Sequence, residues 1–133
     1  MADWRPVWRV QAVYRDQLPS IRWRLEGEAI WRPPTDVYET DECAVVTVEI
    51  AGLTDGDYAV SLSGRTLTVS GERRDPAEKL AYQQMEIRYG KFRADVHLPW
   101  ALDLDEQQAT YENGLLRITL RKAQSRRVPV QTV

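Results

Sequence analysis

From Asp36 onward, apolar and polar residues alternate in steps of two, the period of a strand with one face buried and the other wet. In Cys43–Ile50, Ala44, Val46, Val48 and Ile50 share one face, with Val45, Thr47 and Glu49 on the other. Tyr58, Val60 and Leu62 alternate with Ala59, Ser61 and Ser63. A turn at Ser63-Gly64-Arg65 follows, and then Leu67 and Val69 alternate with Thr66, Thr68 and Ser70, which predicts a hairpin. Met85, Ile87 and Tyr89 form another alternating set. Beyond Gly90, Phe92, Ala94, Val96 and Leu98 carry the pattern to Pro99, with Arg93, Asp95 and His97 on the solvated face. Ala109 and Tyr111 lead to Asn113-Gly114, residues that tolerate positive φ and mark a tight hairpin turn. Leu116, Ile118 and Leu120 then alternate with Arg117, Thr119 and Arg121. Six or more short strands punctuated by Gly, Pro and Asp predict an all-β fold of two packed antiparallel sheets, because one sheet alone would leave its apolar face wet.

Three stretches break the alternation. Residues 71–84, GERRDPAEKLAYQQ, are a charged surface excursion, either a disordered loop or a segment that reaches a second subunit. In residues 1–34, Val10, Val13, Tyr14 and Leu18 have helical spacing that Pro19 stops, whereas Ile21, Trp23 and Leu25 alternate as in a strand. Residues 121–127, RKAQSRR, are too polar for a core strand and precede Val128-Pro129-Val130, whose two valines project as alternate knobs from an extended backbone. The expected organisation is an arm at 1–34, a sheet domain at 35–122 and a tail at 123–133.

Charge separates the same parts. The arm holds six arginines against four acids, and the rest holds twelve basic residues against sixteen acids. Trp4, Trp8, Trp23 and Trp31 also fall before or at the Pro33-Pro34 boundary. Tryptophan interleaved with arginine is the composition of a contact surface, although such an arm can instead pack back on its own sandwich. Arginine and tryptophan together also suit single-stranded nucleic acid, but the net charge of −2 gives a polyanion no global attraction. The 133 residues support a single domain with its own core. No apolar run reaches the roughly 18 residues of a membrane helix. Asp3, Arg5 and Arg9 interrupt the place of a secretory signal, so the expected location is cytoplasmic.

The chemistry-bearing residues do not assemble into a catalyst. Cys43 is the only cysteine and sits in an apolar run, which predicts a buried thiol. His97, the only histidine, lies on a polar strand face with neither a second histidine nor a nearby cysteine to complete a metal site. Asp103, Asp105 and Glu106 lack the glycine turn of a calcium loop and read as a charged loop after Pro99. Asp55 and Asp57 flank Gly56 in a turn. Phosphate-binding glycine loops of the common types do not occur. The expectation is a binding protein without cofactor or metal, not an enzyme.

Four blocks in order, PPTDVYETDECAVVTVEIAGL, YAVSLSGRTLTVSGERR, IRYGKFRADVHLP and ATYENGLLRITLRK, resemble the small heat shock proteins with a complete alpha-crystallin domain. The likeness spans about residues 34–122, and its strongest part is Ala109, Asn113-Gly114 and Leu116 at the family's spacing. It implies an immunoglobulin-like sandwich with a flexible arm, acting as an ATP-independent holdase for partially unfolded proteins. A co-chaperone-like sandwich that binds one folded partner is the alternative. The resemblance implies client contacts from Trp4, Trp8, Val10, Val13, Tyr14 and Trp23. It also implies an excursion, with Arg73, Arg74, Glu78, Leu80 and Tyr82, that pairs with a neighbouring subunit. Val128-Pro129-Val130 stands where the family has an Ile-x-Ile latch that enters an apolar groove of another dimer, here assigned to Tyr58, Val60, Leu62, Ala109 and Tyr111. Valine in place of isoleucine loosens such a latch by up to about 0.5–1.5 kcal/mol per site where the pocket cannot collapse. Ala51-Gly52-Leu53 and Leu120-Arg121-Lys122 lack prolines usual in the family.

Overall fold

The computed structural model describes residues 11–12, 29–124 and 128–133. Among the described residues there are eight strands: β1 (Gln11–Ala12), β2 (Thr35–Glu39), β3 (Cys43–Glu49), β4 (Tyr58–Ser63), β5 (Thr66–Arg73), β6 (Gly90–His97), β7 (Leu102–Glu112) and β8 (Leu115–Lys122). They form two four-stranded sheets, ordered β1-β4-β5-β6 and β2-β3-β8-β7. Every pairing between these strands is antiparallel except the two-residue parallel contact of β1 with β4.

Alternation dictates which side chains close the core. Val46, Val48 and Ile50 point inward from the first half of the chain, Leu62, Leu67, Val69 and Phe92 from the other sheet, and Leu116, Ile118 and Leu120 from β8; all are fully buried. The β7–β8 turn has the left-handed geometry that its Asn-Gly pair predicts, with Asn113 at φ 53° and Gly114 at φ 76°. Gly71 serves a different need. A Cβ there would stand 2.1 Å from the Asp57 carbonyl oxygen and 2.7 Å from Phe92 Cζ, so only glycine lets β5 pass Tyr58 while the Phe92 ring fills the space beneath.

Several local expectations are corrected. β5 runs to Arg73, so residues 71–73 belong to the sheet and the excursion begins at Arg74. Met85, Ile87 and Tyr89 form no strand; Met85 and Ile87 are exposed. Their alternation is present, but the described chain supplies no ladder partner, and an unpaired strand has nothing to hold it. The Asp103–Glu106 stretch is not a loop but part of β7. Leu102 opposes Lys122 and Gln107 opposes Leu120, so residues 103–106 bulge against Arg121 alone. That bulge erases the period of two that would have announced a strand. Cys43 is half-buried rather than buried, because it opens β3 at the sheet's end beside Arg121. Gln11–Ala12 is strand where the spacing predicted helix; the remainder of that run lies outside the described residues.

Trp31 is the largest departure. Counted with the arm, it instead bridges Phe92 in parallel, donates its backbone N–H to Lys91 O at 3.1 Å, and packs its ring 5.8 Å from that of Phe92. The fold therefore begins before the proline pair, and Pro33 itself is fully buried.

Candidate functional site

Tyr58 of β4, the strand next to β1, and Tyr111 of edge strand β7 come together where the groove residues were assigned. The rings of Tyr58 and Tyr111 pack 5.6 Å apart with their planes tilted by 42°, and the Tyr111 hydroxyl donates to Ile50 O at 2.8 Å while accepting from Leu53 N at 3.3 Å, which ties the β3–β4 loop to β7. Val60, Leu62 and Ala109 lie inside the core cluster. They form the floor beneath this edge, and the half-buried tyrosines are its surface. Opposite Ser61 and Leu62, the outer side of β4 is paired with Gln11 and Ala12. Val128, Pro129 and Val130 are exposed, the two valines at 79% and 88%.

The excursion joins β5 to β6 and is organised by its own polar residues. The Asp75 carboxylate accepts from Lys79 Nζ and, at 2.6 Å, from the Tyr82 hydroxyl. These donors hold the Asp75 pKa down at about 2, Lys79 first and Tyr82 second. The same contacts raise Lys79 and Tyr82 above their ordinary values. Folding the polar groups inward on one another leaves Leu80, Met85 and Ile87 facing water, and Glu78 is exposed as well.

Arg73, one of the residues expected at a subunit contact, makes its described contacts within its own chain, where it acts as a staple. Its Nε donates to Arg88 O at 2.9 Å and its Nη1 to Ala51 O at 3.3 Å. The guanidinium lies 4.6 Å from the centre of the Trp31 ring and 5.6 Å from that of Tyr89. Cation–π attraction of this kind favours arginine over lysine, since the planar group can stack while its fork keeps both carbonyls. Beside it, an open cavity of about 520 Å³ separates the β3–β4 loop from the root of the excursion, lined by Gly52, Thr54, Asp57, Arg74, Pro76 and Ile87 among others. Sequence reasoning missed this staple because its partners come from three separate stretches of chain.

Edge strand β2 is the other open feature. Among the described residues it pairs only with β3, and Val37 and Tyr38 are exposed by 43% and 47%. Lys122 Nζ anchors its end through Glu39 at 2.6 Å and Thr40 O at 2.8 Å.

The isolated polar candidates are locally satisfied. Asp57 accepts from the Thr54 N–H at 2.9 Å and its hydroxyl at 2.7 Å, which lowers its pKa and closes the turn around Gly56. His97 is exposed beside Thr66, with Oγ1 and Nδ1 3.4 Å apart. Asp103 accepts from the Asp105 N–H at 3.0 Å. Among the described residues no group of three or more His, Cys, Asp or Glu side chains is arranged to hold a metal ion, and no helix is long and apolar enough to cross a membrane. The arm candidates Trp4, Trp8, Val10, Val13, Tyr14 and Trp23 lie outside the described residues.

Comparison with known proteins agrees with this architecture. Residues 36–133 match the sequence model of the Hsp20/alpha crystallin family. The small heat shock protein C2 of Rickettsia felis is 33% identical over 92 residues, covering 68% of this chain and 60% of that one. A 19.0 kDa class II heat shock protein of Oryza sativa is 34% identical over 114 residues, covering 78% of this chain and 65% of the relative. The chain thus spans less than two thirds of either relative's length. Among solved structures, heat shock protein 16.0 of Schizosaccharomyces pombe superposes with a TM-score of 0.64 at 30% identity, covering 77% of this chain and 96% of its counterpart.

Proposed function

The chain belongs to the Hsp20/alpha crystallin family, and from that premise we propose that it is an ATP-independent chaperone, a cytoplasmic holdase that binds partially unfolded proteins and suppresses their aggregation under heat or other stress. The observation that carries this reading is the division of the apolar residues. The sandwich closes its core, yet Leu80, Met85, Ile87, Val128 and Val130 stand in water on the excursion and the tail. Exposed side chains of this size outside a complete core are surfaces for other chains.

Assembly uses two of these surfaces. The excursion, through Arg73 at its root and Arg74, Glu78, Leu80 and Tyr82, pairs with a neighbouring subunit, whose β2 offers an open edge. Val128-Pro129-Val130 then seats where β4 and β7 of another dimer come together, against Tyr58 and Tyr111 over the floor of Val60, Leu62 and Ala109. Client capture belongs to the arm. Trp4, Trp8 and Trp23, with Val10, Val13 and Tyr14, cover hydrophobic segments that an unfolding protein exposes and so compete with its self-association. Burial of apolar surface supplies the binding energy, and no nucleotide step is required.

Light scattering from a heat-labile client tests the reading. The native chain is expected to suppress aggregation equally with and without ATP. Replacing Trp4, Trp8 and Trp23 together by serine is expected to remove much of that protection at matched concentration, with circular dichroism and assembly mass unchanged, since each ring takes a large apolar contact area with it. Full protection by the triple variant would remove the arm from the mechanism, and a strict ATP requirement would overturn the mechanism itself.

A further inference from the structure

The open cavity beside Arg73 lies between the β3–β4 loop and the root of the excursion and holds about 520 Å³. Small-molecule sites run from roughly 300 to 1,000 Å³. Its lining is mixed. Pro76, Ile87 and Tyr89 supply apolar surface, with Ile87 exposed by 60% and the Tyr89 ring steadied by the Arg73 guanidinium at 5.6 Å. Thr54, Asp57, Arg73 and Arg74 supply the polar groups.

Most of those polar groups are already committed. Asp57 takes the Thr54 N–H and hydroxyl on its carboxylate and gives its own N–H to Thr54 O at 3.0 Å. The Asp57 carbonyl accepts from Glu72 N at 2.9 Å. Arg73 spends Nε and Nη2 on Arg88 O and Nη1 on Ala51 O. With these main-chain groups satisfied, the rim leaves a peptide backbone little to pair with, and strand-like peptide recognition depends on such pairing. Arg74 is the exception. Among the described residues its guanidinium makes no hydrogen bond or ion pair. Its planar fork of donors matches a carboxylate bidentately, and two arginines against the single carboxylate of Asp57 leave the cavity positive.

We infer that this cavity is a binding site for a small apolar monocarboxylate, with the carboxylate on the Arg74 guanidinium and the hydrocarbon against Pro76, Ile87 and Tyr89. An inorganic anion satisfies the arginine but leaves the apolar surface wet, and a neutral hydrocarbon does the reverse. Arg74 is also assigned to pairing with a neighbouring subunit, so a bound acid withdraws it from that contact. This last consequence rests on the assembly reading; the site does not.

Calorimetric titration of the full chain with octanoate tests it, with hydrogen exchange read by mass spectrometry to locate the site. Octanoate is expected to bind about tenfold more tightly than acetate, inorganic phosphate or octanol, and to protect residues 51–57 and 87–89. Equal affinity for acetate or phosphate removes the apolar surface from the site, equal affinity for octanol removes the carboxylate, and protection centred elsewhere removes the cavity; each overturns the proposal. Arg74→Gln is expected to weaken octanoate about tenfold, whereas Arg65→Gln, the same loss of charge at the other end of β5, leaves it unchanged. Equal losses in the two variants reduce the effect to overall charge and overturn the site. Ile87→Ser alters a side chain already in water and keeps the test decisive if Arg74→Gln fails to fold. It is expected to weaken octanoate several-fold and leave acetate unaffected, and an unchanged octanoate affinity overturns the proposal. Multi-angle light scattering at saturating octanoate is expected to show smaller assemblies. An unchanged mass with binding intact would overturn the link to assembly and leave the site standing.

Discussion

A methyl group on Gly71 has nowhere to go, because the nearest obstacle is backbone at 2.1 Å and the next is the ring of fully buried Phe92. Gly71→Ala is therefore expected to destabilise the fold by about 1–3 kcal/mol, as other forced overpacking does, and to lower the melting midpoint by several degrees. Thermal unfolding followed by circular dichroism reads it, and an unchanged midpoint would mean that β4 and β5 can separate cheaply at this point. Asp75 gives a residue-scale prediction of another kind. Its carboxyl is held near a pKa of about 2, below the ordinary 3.8, so its contacts are complete above the ordinary value and are lost as pH falls through about 2. NMR of the side chain is expected to show Asp75 still charged at about pH 3. The Asp75 anion also favours the neutral Tyr82 phenol that donates to it. Asp75→Asn is thus expected to lower the Tyr82 titration toward its ordinary value, and an unmoved Tyr82 would dissolve this cluster.

At the scale of elements, the excursion is internally bonded and contributes nothing to the buried core cluster. Deleting residues 75–84 is expected to leave the sandwich folded and to break the dimer. Near-ultraviolet circular dichroism and solution mass separate the two effects, and a folded dimer after deletion would move the interface elsewhere. The sequence was readable wherever one strand face met the core and the other met water, as in β3, β6 and β8. It was unreadable in the first half of β7, where residues 103–106 bulge against Arg121 and the alternation fails although the strand continues. Residues 85–89 show the converse, a clean alternation without a partner within the chain. Trp31 was misplaced for a third reason: its bridge to Phe92 spans distant parts of the chain, and no local pattern carries such a contact. Among the groove candidates, alternation correctly paired Val60 with Leu62 on one face but could not tell floor from wall, because that depends on how the second sheet closes over them.

For the whole molecule, the exposed tail valines and the excursion offer separate contacts, so assembly is expected in two stages. Removing residues 128–133 is expected to leave dimers while shifting larger assemblies toward them, measured by multi-angle light scattering at several concentrations. Unchanged large assemblies would make the latch unnecessary. Surface ion pairs such as Arg121 with Glu106 at 2.8 Å and Lys122 with Glu39 at 2.6 Å are exposed. Solvent screens such pairs, so stability is expected to rest on the core rather than on salt concentration.

Arg73 makes two parts of the molecule thermodynamically dependent on each other. One guanidinium is shared between Trp31, where the chain enters the fold, and Tyr89 and the Arg88 carbonyl, where the excursion returns to it. A partner that draws the excursion away from this cation weakens the hold on Trp31, and whatever loosens the entry of the chain weakens the root of the excursion by the same free energy, because coupling between two equilibria is reciprocal. The root of the excursion and the seating of Trp31 are, through one side chain, two readings of a single balance.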